Sequence, residues 1–213
     1  EDVFEQLIAR LDALKSSFEG AIEIILVDDG STDATPELIR ELALKDAGYQ
    51  AVLLSRNFGH QLALSAGLKQ VDAKEAVFII DADLQDPPEL LTDFYAKYKE
   101  GYDVVYAVRK NRKEGFLKKL AYKTFYRFMD KISYIEIPLD SGDFSLISTR
   151  VAQQLNEMPE ESRFIRGMRS WIGFKQIGIE YDRAERQSGE SKYTLGKLLK
   201  LAFNGSLVKE SGT

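Results

Sequence analysis

Two aspartates, Asp81 and Asp83, stand two residues apart directly after an apolar run at residues 76–80. The run has the composition of a strand buried on both faces, so the aspartates follow the carboxyl end of a strand. Alternate residues of an extended segment point the same way, so the two carboxylates can converge on one point and attract a hard divalent cation. The alternative is a polar turn ahead of a helix started by Pro87 and Pro88. The attached double proline favours the ligand site.

Another acidic turn, at residues 28–33, follows a strand-like run at residues 22–27; in chain order it is the first acidic turn, and the one that begins at Asp81 is the second. Gly30 permits a tight turn there, while Ser31 and Asp33 can hydrogen-bond a ribose or a base. An ordinary aspartate turn that caps the next helix explains these residues equally well. We expect both acidic turns on the same edge of one sheet, which favours a site for a nucleotide diphosphate and a metal ion.

Two further candidate positions are the loop after residues 51–55 and the predicted strand start at Asp143. Arg56, after the run at residues 51–55, can meet a diphosphate, whereas His60 in the same loop is expected to be a structural hydrogen-bonding residue. Asp143 stands at a predicted strand start, where it could be a general base or could orient an attacking oxygen. A turn aspartate that bonds its own backbone is the alternative.

The second half of the chain concentrates positive charge. Nine Lys and Arg lie between residues 109 and 131 against two acidic residues, so anionic partners are expected to meet this half. The helix predicted for residues 115–131 has a cationic and an aromatic face, which suits an anionic membrane surface or, equally, packing on a core. Further along, a basic segment and a Gly-Glu-Ser-Lys-Tyr loop predict cations that close on phosphate, or ordinary surface charge. The basic residues there are Arg163, Arg166, Arg183, Arg186 and Lys192.

The candidate residues are distant in sequence, so helices and strands must bring them together in the fold. Strand and helix patterns alternate along the chain, which predicts an α/β fold with a mainly parallel sheet flanked by helices. We find no repeat or linker and expect a single domain over residues 1–213. Strands are predicted at residues 22–27, 51–55, 76–80, 103–108, 143–148 and 174–181, and helices at 3–14, 61–70, 88–99 and 193–203, with others beginning at Thr35 and Thr149.

Composition limits the function classes. The chain has 213 residues, 44% of them hydrophobic, which suffices for a large globular core. Its net charge of −5 argues against nucleic acid as a partner. The absence of cysteine excludes a disulfide, a thiolate nucleophile and a Cys-based metal site. No apolar stretch reaches the roughly 20 residues of a membrane span, so the chain as given is expected to be soluble or peripheral.

Five segments together resemble the family 2 glycosyltransferases that act on polyprenyl phosphate, bactoprenol glucosyltransferases most closely and dolichol-phosphate mannose synthases more distantly. The resemblance spans nearly the whole chain, and its nine-residue acidic motif is specific. It implies a GT-A, Rossmann-like fold and an inverting, metal-dependent transfer of a sugar, with UDP-glucose as the favoured donor, to undecaprenyl phosphate. The segments are Asp28-Asp29-Gly30-Ser31-Thr32-Asp33, Ser55-Arg56-Asn57-Phe58-Gly59-His60, Asp81-Ala82-Asp83-Leu84-Gln85-Asp86-Pro87-Pro88-Glu89, Asp140-Ser141-Gly142-Asp143-Phe144 and Gly189-Glu190-Ser191-Lys192-Tyr193.

The resemblance also implies a role for each candidate. Asp83 and Gln85 would hold Mg²⁺ or Mn²⁺ on the donor diphosphate. Asp83 and Asp143 would be the catalytic carboxylates, with Asp143 near the attacking phosphate. A nucleotide-sugar half over about residues 1–110 would precede an acceptor half over about residues 111–213. Nucleotide-sugar contacts would come from Asp28, Asp29, Asp33, Arg56, Asp81 and Ala82, and acceptor or phosphate contacts from Arg183, Arg186, Lys192 and Arg163.

Two departures from the family pattern lead to further expectations. The family opens with a strand ending in Pro-x-Tyr-Asn-Glu, which this sequence does not contain, so the central sheet is expected to lack a strand. Two membrane helices normally follow the segment around Lys192, and none is expected in this chain. The full-length protein is expected at the cytoplasmic face of the cell membrane, as a monomer or a homo-oligomer.

Two other functions remain open from the sequence. A family 2 transferase that extends a saccharide would use the basic loop for a different acceptor. A nucleotide-sugar-binding protein without enzymatic activity would keep both acidic turns and would need no cationic acceptor site.

Overall fold

The computed structural model describes residues 3–110, 141–161 and 163–183. Within these ranges the chain forms two compact units, which are described separately. The first unit comprises residues 3–72, 154–161 and 163–165, and the second comprises residues 73–110, 141–153 and 166–183.

The first unit is built on a two-stranded parallel sheet with helices before, between and after its strands. Parallel strands need a crossover connection, and the helical pattern after Thr35 supplies it, with Pro36 in its first turn. The elements are α1 (Phe4–Ser17), β1 (Ile24–Asp28), α2 (Thr35–Lys45), β2 (Tyr49–Leu53) and α3 (His60–Leu68).

Pairing of β1 with β2 continues to the last residue of each strand, where Asp28 is opposite Leu53. The loops that follow the two strands therefore begin side by side. Helix α3 packs so closely on β1 that a Cβ atom on Gly67 would lie only 2.8 Å from Val27 Cγ2. Glycine is the residue that allows this close approach of helix to strand.

The second unit is built on a four-stranded mixed sheet. Its elements are β3 (Ala76–Ile79), a 3₁₀ turn (Pro88–Leu90), α4 (Leu91–Lys99), β4 (Val104–Arg109), β5 (Ser141–Ser148), α5 (Thr149–Glu157), α6 (Ile165–Trp171) and β6 (Gln176–Tyr181). The strand order is β3-β5-β4-β6, with β4 parallel to β6 and β5 antiparallel to both β3 and β4. Helix α5 begins in the second unit, and its last residues belong to the first.

An aromatic cluster forms the centre of the second unit. Phe144 of β5 has its ring centroid 5.4 Å from Phe78, 5.3 Å from Phe94 and 5.5 Å from Tyr181. Edge-to-face and tilted pairs at these separations add to the stabilisation that burial of the rings provides. The cluster ties β3, α4, β5 and β6 together and so fixes the strand ends that carry the second acidic turn.

The predicted strands and helices are found within a few residues of their expected bounds throughout the described ranges. One prediction about their arrangement is wrong. The strands that precede the two acidic turns do not share a sheet, because β1 belongs to the two-stranded sheet and β3 to the four-stranded one. The antiparallel direction of β5 was also not predicted. The helices expected at residues 115–131 and 193–203 lie outside the described residues.

Candidate functional site

The first acidic turn follows β1 and is tied to the loop after β2 by the carboxylate of Asp29. Asp29 Oδ1 accepts a hydrogen bond from the Phe58 backbone N–H at 2.8 Å, and Oδ2 accepts one from the Gly59 N–H at 2.9 Å. A carboxylate that takes one backbone N–H on each oxygen is held in a single orientation. Asp29 therefore fixes the loop that carries Arg56.

Gly30 brings the same two loops into close contact. Its φ of +70° lies in the left-handed region, and a Cβ atom there would be 2.3 Å from the carbonyl carbon of Arg56. Any other residue would clash with backbone, which cannot move aside cheaply. The backbone of Arg56 is thereby packed directly against the first acidic turn.

The other two aspartates of this turn also accept hydrogen bonds from backbone N–H groups. Asp28, buried at the end of β1, accepts from the Ser31 N–H at 3.0 Å. Asp33 accepts from the Thr35 N–H at 3.1 Å, and hydrogen bonds from the Thr35 hydroxyl and N–H lower the pKa of the Asp33 carboxyl. These are the contacts of an aspartate turn before a helix. The nucleotide contacts of these aspartates stay predictions.

A cleft of about 500 Å³ opens beside the first acidic turn. The guanidinium of Arg56 stacks on the Phe58 ring, with Cζ 4.2 Å from the ring centroid. A concave site of this size with a few polar groups is typical of small-molecule binding. The polar and charged residues of its wall include Asp28, Ser31, Thr32, Arg40, Arg56 and Asn57.

The second acidic turn follows β3 and reverses direction at Leu84. Leu84 has a φ of +59°, which is rare for a residue with a side chain, and that side chain is buried. Asp83 Oδ1 accepts a hydrogen bond from the Gln85 N–H at 3.1 Å, which closes the turn. Strained backbone held by a buried side chain is common at ligand sites.

Arg183, two residues after β6, places its guanidinium among three carboxylates of this turn. Its Nη2 lies 3.7 Å from Asp83 Oδ2 and 4.0 Å from Asp81 Oδ2. Its Nε donates a hydrogen bond to Asp86 Oδ1 at 3.1 Å. The carboxylates of Asp81 and Asp83 therefore face the same positive charge, and a side chain supplies that charge.

Buried Asp86 holds the Arg183 guanidinium in place. It is fully buried, and its Oδ1 accepts hydrogen bonds from both the Tyr181 hydroxyl and Arg183. Burial and the bond to Asp86 raise the pKa of Tyr181 to about 12, so the hydroxyl remains a donor at neutral pH. Tyr181 was not singled out by its sequence, because 95 residues separate it from Asp86 and only the fold brings them together.

The residues of the second acidic turn fit a divalent metal that a substrate helps to hold. Mg²⁺ is usually bound through one or two carboxylates together with substrate phosphates and water. Asp81 and Asp83 supply two carboxylates that face one cation, and Gln85 adds an amide oxygen in the same turn. Among the described residues, no three acidic or histidine side chains gather as a closed metal cage. The turn thus suits a metal completed by a diphosphate.

Asp143 lies in β5, half-buried, with its Oδ1 shielded from solvent. The buried guanidinium of Arg169 on α6 attracts it electrostatically. In the sequence Arg169 stands in a basic segment, so it was not among the predicted site residues. A signal was present, since Ile165, Met168, Arg169 and Ile172 follow the spacing of a helix's apolar face, where an arginine is unusual.

Arg163 donates hydrogen bonds to backbone carbonyl oxygens at the C-terminal end of α5. Its Nη1 donates to the Met158 carbonyl oxygen at 3.0 Å, and its Nη2 donates to that of Leu155 at 2.6 Å, which satisfies carbonyls at the end of α5. The phosphate contact expected of Arg163 stays a prediction. The other predicted phosphate ligands, Arg186 and Lys192, lie outside the described residues.

The sequence matches the family model for Glycosyl transferase family 2 over residues 2–155. This is more than half of the chain, and relatives in the same family match along most of the rest. The chain therefore belongs to glycosyl transferase family 2, as the five sequence segments predict.

Two relatives illustrate the similarity. The chain is 44% identical over 205 residues to a glycosyltransferase of Bacillus subtilis, YkcC, covering 96% of this chain and 62% of the relative. It is 40% identical over 204 residues to the bactoprenol glucosyl transferase of Shigella phage SfV, covering 95% of this chain and 65% of the relative. The chain thus spans less than two thirds of the length of these relatives.

Solved structures establish the fold as GT-A. The mannosyltransferase PcManGT from Pyrobaculum calidifontis, in complex with GDP-Man and Mn²⁺, superposes with a TM-score of 0.57 at 19% identity, covering 84% of this chain and 52% of that one. Staphylococcus aureus TarS 1-349, in complex with UDP-GlcNAc, also gives a TM-score of 0.57, at 18% identity, covering 88% of this chain and 58% of that one. Within the described residues, no helix has the length and apolar character to cross a membrane.

Proposed function

We propose that the protein is a glycosyltransferase that moves a sugar from a nucleotide-sugar, with UDP-glucose favoured, to undecaprenyl phosphate with inversion at the anomeric carbon. The observation that carries this proposal is the pair Asp81 and Asp83 facing a single positive charge in a family 2 chain. The acceptor and the glucosyl group are supported by relatives named bactoprenol glucosyl transferases.

The nucleotide-sugar is assigned to residues of both acidic turns. The cleft beside the first turn has room for a nucleoside, and Arg56 stacked on Phe58 offers it a flat cation. In this proposal Asp29 acts mainly by holding the Arg56 loop, through its two bonds to backbone N–H groups. The nucleotide-sugar contacts are assigned to Asp28, Asp29, Asp33, Arg56, Asp81 and Ala82.

A divalent metal ion, Mg²⁺ or Mn²⁺, is assigned to Asp83 and Gln85. When bound, it supplies positive charge to the departing diphosphate. Arg183 contributes to the same task from the protein side, since Asp86, itself bonded by the Tyr181 hydroxyl, holds its Nε while its Nη2 faces the turn. Because the guanidinium stays in place at one end, it can move from the carboxylates to a phosphate oxygen by a small rotation.

The acceptor needs little activation. A phosphate monoester has a second pKa of roughly 6, so the lipid phosphate is already ionised at neutral pH. One of its oxygens forms a bond to the anomeric carbon while the bond from that carbon to the diphosphate breaks, and the electron pair leaves with the nucleoside diphosphate. Asp143 is assigned to orient the attacking phosphate and to accept a proton from the minority that is still protonated.

Because the proposed acceptor is a lipid, the reaction would take place at a membrane surface. We propose the cytoplasmic face, where nucleotide-sugars are made. The basic segment at residues 109–131 and the predicted loop around Lys192 are the parts of the sequence with the charge to meet anionic lipid. Arg183, Arg186 and Lys192 are the proposed ligands for acceptor or donor phosphate.

The experiment is a transfer assay with the full-length protein, UDP-[¹⁴C]glucose, Mn²⁺ and a short-chain polyprenyl phosphate. We expect radiolabel in the organic-extractable lipid fraction, lost in Asp83→Asn and retained in the matched exposed variant Asp93→Asn. Label that enters only a saccharide would favour a transferase with a saccharide acceptor. Tight binding of UDP-glucose without any turnover would favour a binding protein, and either result would contradict the proposal.

A further inference from the structure

Arg169 is a charged residue in the interior of the second unit. It is only 1% exposed, although it carries the largest side chain among the fully buried residues. Withdrawing a guanidinium from water has a large desolvation cost, and an apolar side chain of similar size could fill the same volume without it. The charge itself therefore needs an explanation beyond packing.

The guanidinium bonds one residue on each side of Asp143, a backbone carbonyl before it and a hydroxyl after it. Arg169 Nη2 donates to the Gly142 carbonyl oxygen at 3.2 Å, and Nη1 donates to Ser145 Oγ at 2.6 Å. The Ser145 hydroxyl in turn donates to the carbonyl oxygen of Asp143 itself at 2.7 Å. Arg169 thus fixes the chain one residue before and two residues after Asp143, directly and through one hydroxyl.

The charge of Arg169 has a partner in the same place. Burial lowers the pKa of Arg169 to about 10, and the negative charge of Asp143 opposes this effect, so Arg169 stays protonated at neutral pH. Among the described residues, Arg166 on α6 and Tyr106 on β4 also act on the Arg169 charge, with the guanidinium carbon 5.7 Å from the Tyr106 ring centroid. Arg109 of β4 also approaches Gly142.

We propose that Arg169 is a positioning residue for Asp143: it fixes the Asp143 backbone through Gly142 and Ser145 and presents a buried positive charge to the carboxylate. This inference rests on the proposed function, in which Asp143 orients the attacking phosphate. It assigns to Ser145 the role of relay between the guanidinium and the Asp143 carbonyl. Arg169 itself touches no substrate in this account.

A double-mutant cycle tests the proposal in the full-length protein. We expect Arg169→Gln to lower kcat roughly tenfold to a hundredfold, as misplacing a reacting group does, with KM for the donor unchanged. In the Asp143→Asn background the same substitution should lower kcat less than about twofold, because the group it positions is gone. Arg169→Lys, which retains the charge, should recover part of the loss. Equal losses in both backgrounds would overturn the proposal.

A matched control separates positioning from general damage to the fold. Arg150→Gln removes another arginine of the second unit, which pairs with buried Asp103 through two hydrogen bonds. Its effect on kcat, whatever the size, should be the same with and without Asp143→Asn. If Arg169→Gln does not fold, Ser145→Ala replaces it in the cycle, with an expected loss of about threefold to tenfold.

A second measurement does not depend on transfer. In the full-length protein with ¹³C-labelled aspartate, the carboxyl signal of Asp143 is identified by its absence in Asp143→Asn. We expect its pH midpoint to rise in Arg169→Gln and to stay unchanged in Ser145→Ala, since only the first removes a charge. An unmoved midpoint in Arg169→Gln would overturn the proposal. Absence of transfer in the unchanged protein would contradict the proposed function instead, and the titration would still decide the role of Arg169.

Discussion

The two acidic turns of this chain each contain three aspartates after a strand, yet their carboxylates have different partners. In the first turn Asp28 and Asp29 accept hydrogen bonds from backbone N–H groups, Asp29 from two of them. In the second turn Asp81 and Asp83 face the guanidinium of Arg183. The carboxylates of the first turn bond main chain, whereas in the second turn Asp83 Oδ1 bonds the Gln85 N–H and Asp83 Oδ2 faces the side chain of Arg183.

This difference separates a scaffold from a site that can exchange its cation. Asp29, which takes a backbone N–H on each oxygen, is held in one orientation and shapes a pocket, whereas Asp81 and Asp83 each turn one oxygen toward Arg183. A guanidinium on a rotatable side chain can be replaced by another cation without unfolding anything. We infer that the first turn frames the donor cleft and the second takes part in charge stabilisation.

The largest expected effect is that of Asp83→Asn. Loss of the Asp83 negative charge from the proposed metal site should weaken Mn²⁺ binding and reduce transfer by at least about 100-fold, because metal and oriented charges supply most of the stabilisation of a leaving diphosphate. Isothermal titration with Mn²⁺ and the radiolabel assay measure the two effects. Asp143→Asn should reduce transfer less and leave Mn²⁺ affinity unchanged. Full activity of Asp83→Asn at saturating metal would remove the metal assignment.

Asp29→Ala tests the scaffold side of the comparison. It removes two charge-assisted hydrogen bonds to the Phe58 and Gly59 N–H groups, so we expect a loss of about 2 kcal/mol in the free energy of unfolding. UDP should bind more weakly because the Arg56 loop is released, whereas Mn²⁺ affinity measured without nucleotide should not change. Urea unfolding and calorimetry provide the readouts, with exposed Asp72→Ala as the control. Unchanged stability together with weakened Mn²⁺ binding would reverse the roles of the two turns.

Arg183→Gln sharpens the exchange side of the comparison. With the guanidinium gone from beside Asp81 and Asp83, a divalent cation no longer competes with it, so Mn²⁺ should bind about fivefold more tightly in the absence of nucleotide. Transfer should nevertheless fall, because the cation for the diphosphate is lost. Electron paramagnetic resonance of free Mn²⁺ measures the affinity, and Arg150→Gln is the matched control. Weaker Mn²⁺ binding in Arg183→Gln would indicate that the guanidinium organises the carboxylates and does not compete for them.

The smallest expected effect concerns Tyr181, whose hydroxyl bonds the Asp86 carboxylate that holds Arg183. The pKa of Tyr181 is raised to about 12 from an ordinary value of about 10, so the unfolded chain loses this proton first as pH rises. The contribution of Tyr181 to stability is therefore complete below about pH 10 and is lost between about pH 10 and pH 12. Tyr181→Phe should flatten this alkaline decline in urea-unfolding experiments at several pH values. Tyr49, whose pKa is also raised by burial, serves as the comparison through Tyr49→Phe.

Much of the fold could be predicted from the sequence, because its signals are local. Period-two and helical apolar patterns, with Pro36 and Pro88 at helix starts, locate nearly every described element. The antiparallel direction of β5 and the separation of β1 from β3 could not be predicted in this way. They depend on which strands pair, and pairing is decided by contacts between segments far apart in the chain.

The candidate site was predictable where its residues are neighbours in sequence and not where they are distant. The spacing of Asp81 and Asp83 identifies them as candidate ligands, and the place of Asp29 after a strand identifies it as a candidate too. Arg183 is 97 residues from Asp86, and its position among the carboxylates follows only from the register of β6 beside β4. Arg169 had a sequence signal, its place on the apolar face of a short helix, but in a basic segment a buried arginine has the appearance of surface charge.

The most direct test of the account is anomalous diffraction at the manganese edge from crystals of the full-length protein grown with Mn²⁺ and UDP. We expect a strong peak within coordination distance of Asp83 and Gln85, with the Arg183 guanidinium moved away from Asp83 and still bonded to Asp86. We expect no peak at Asp28, Asp29 or Asp33, whose carboxylates remain on their backbone N–H partners. A manganese ion held by the first acidic turn, or Arg183 still between Asp81 and Asp83 with the metal elsewhere, would contradict it.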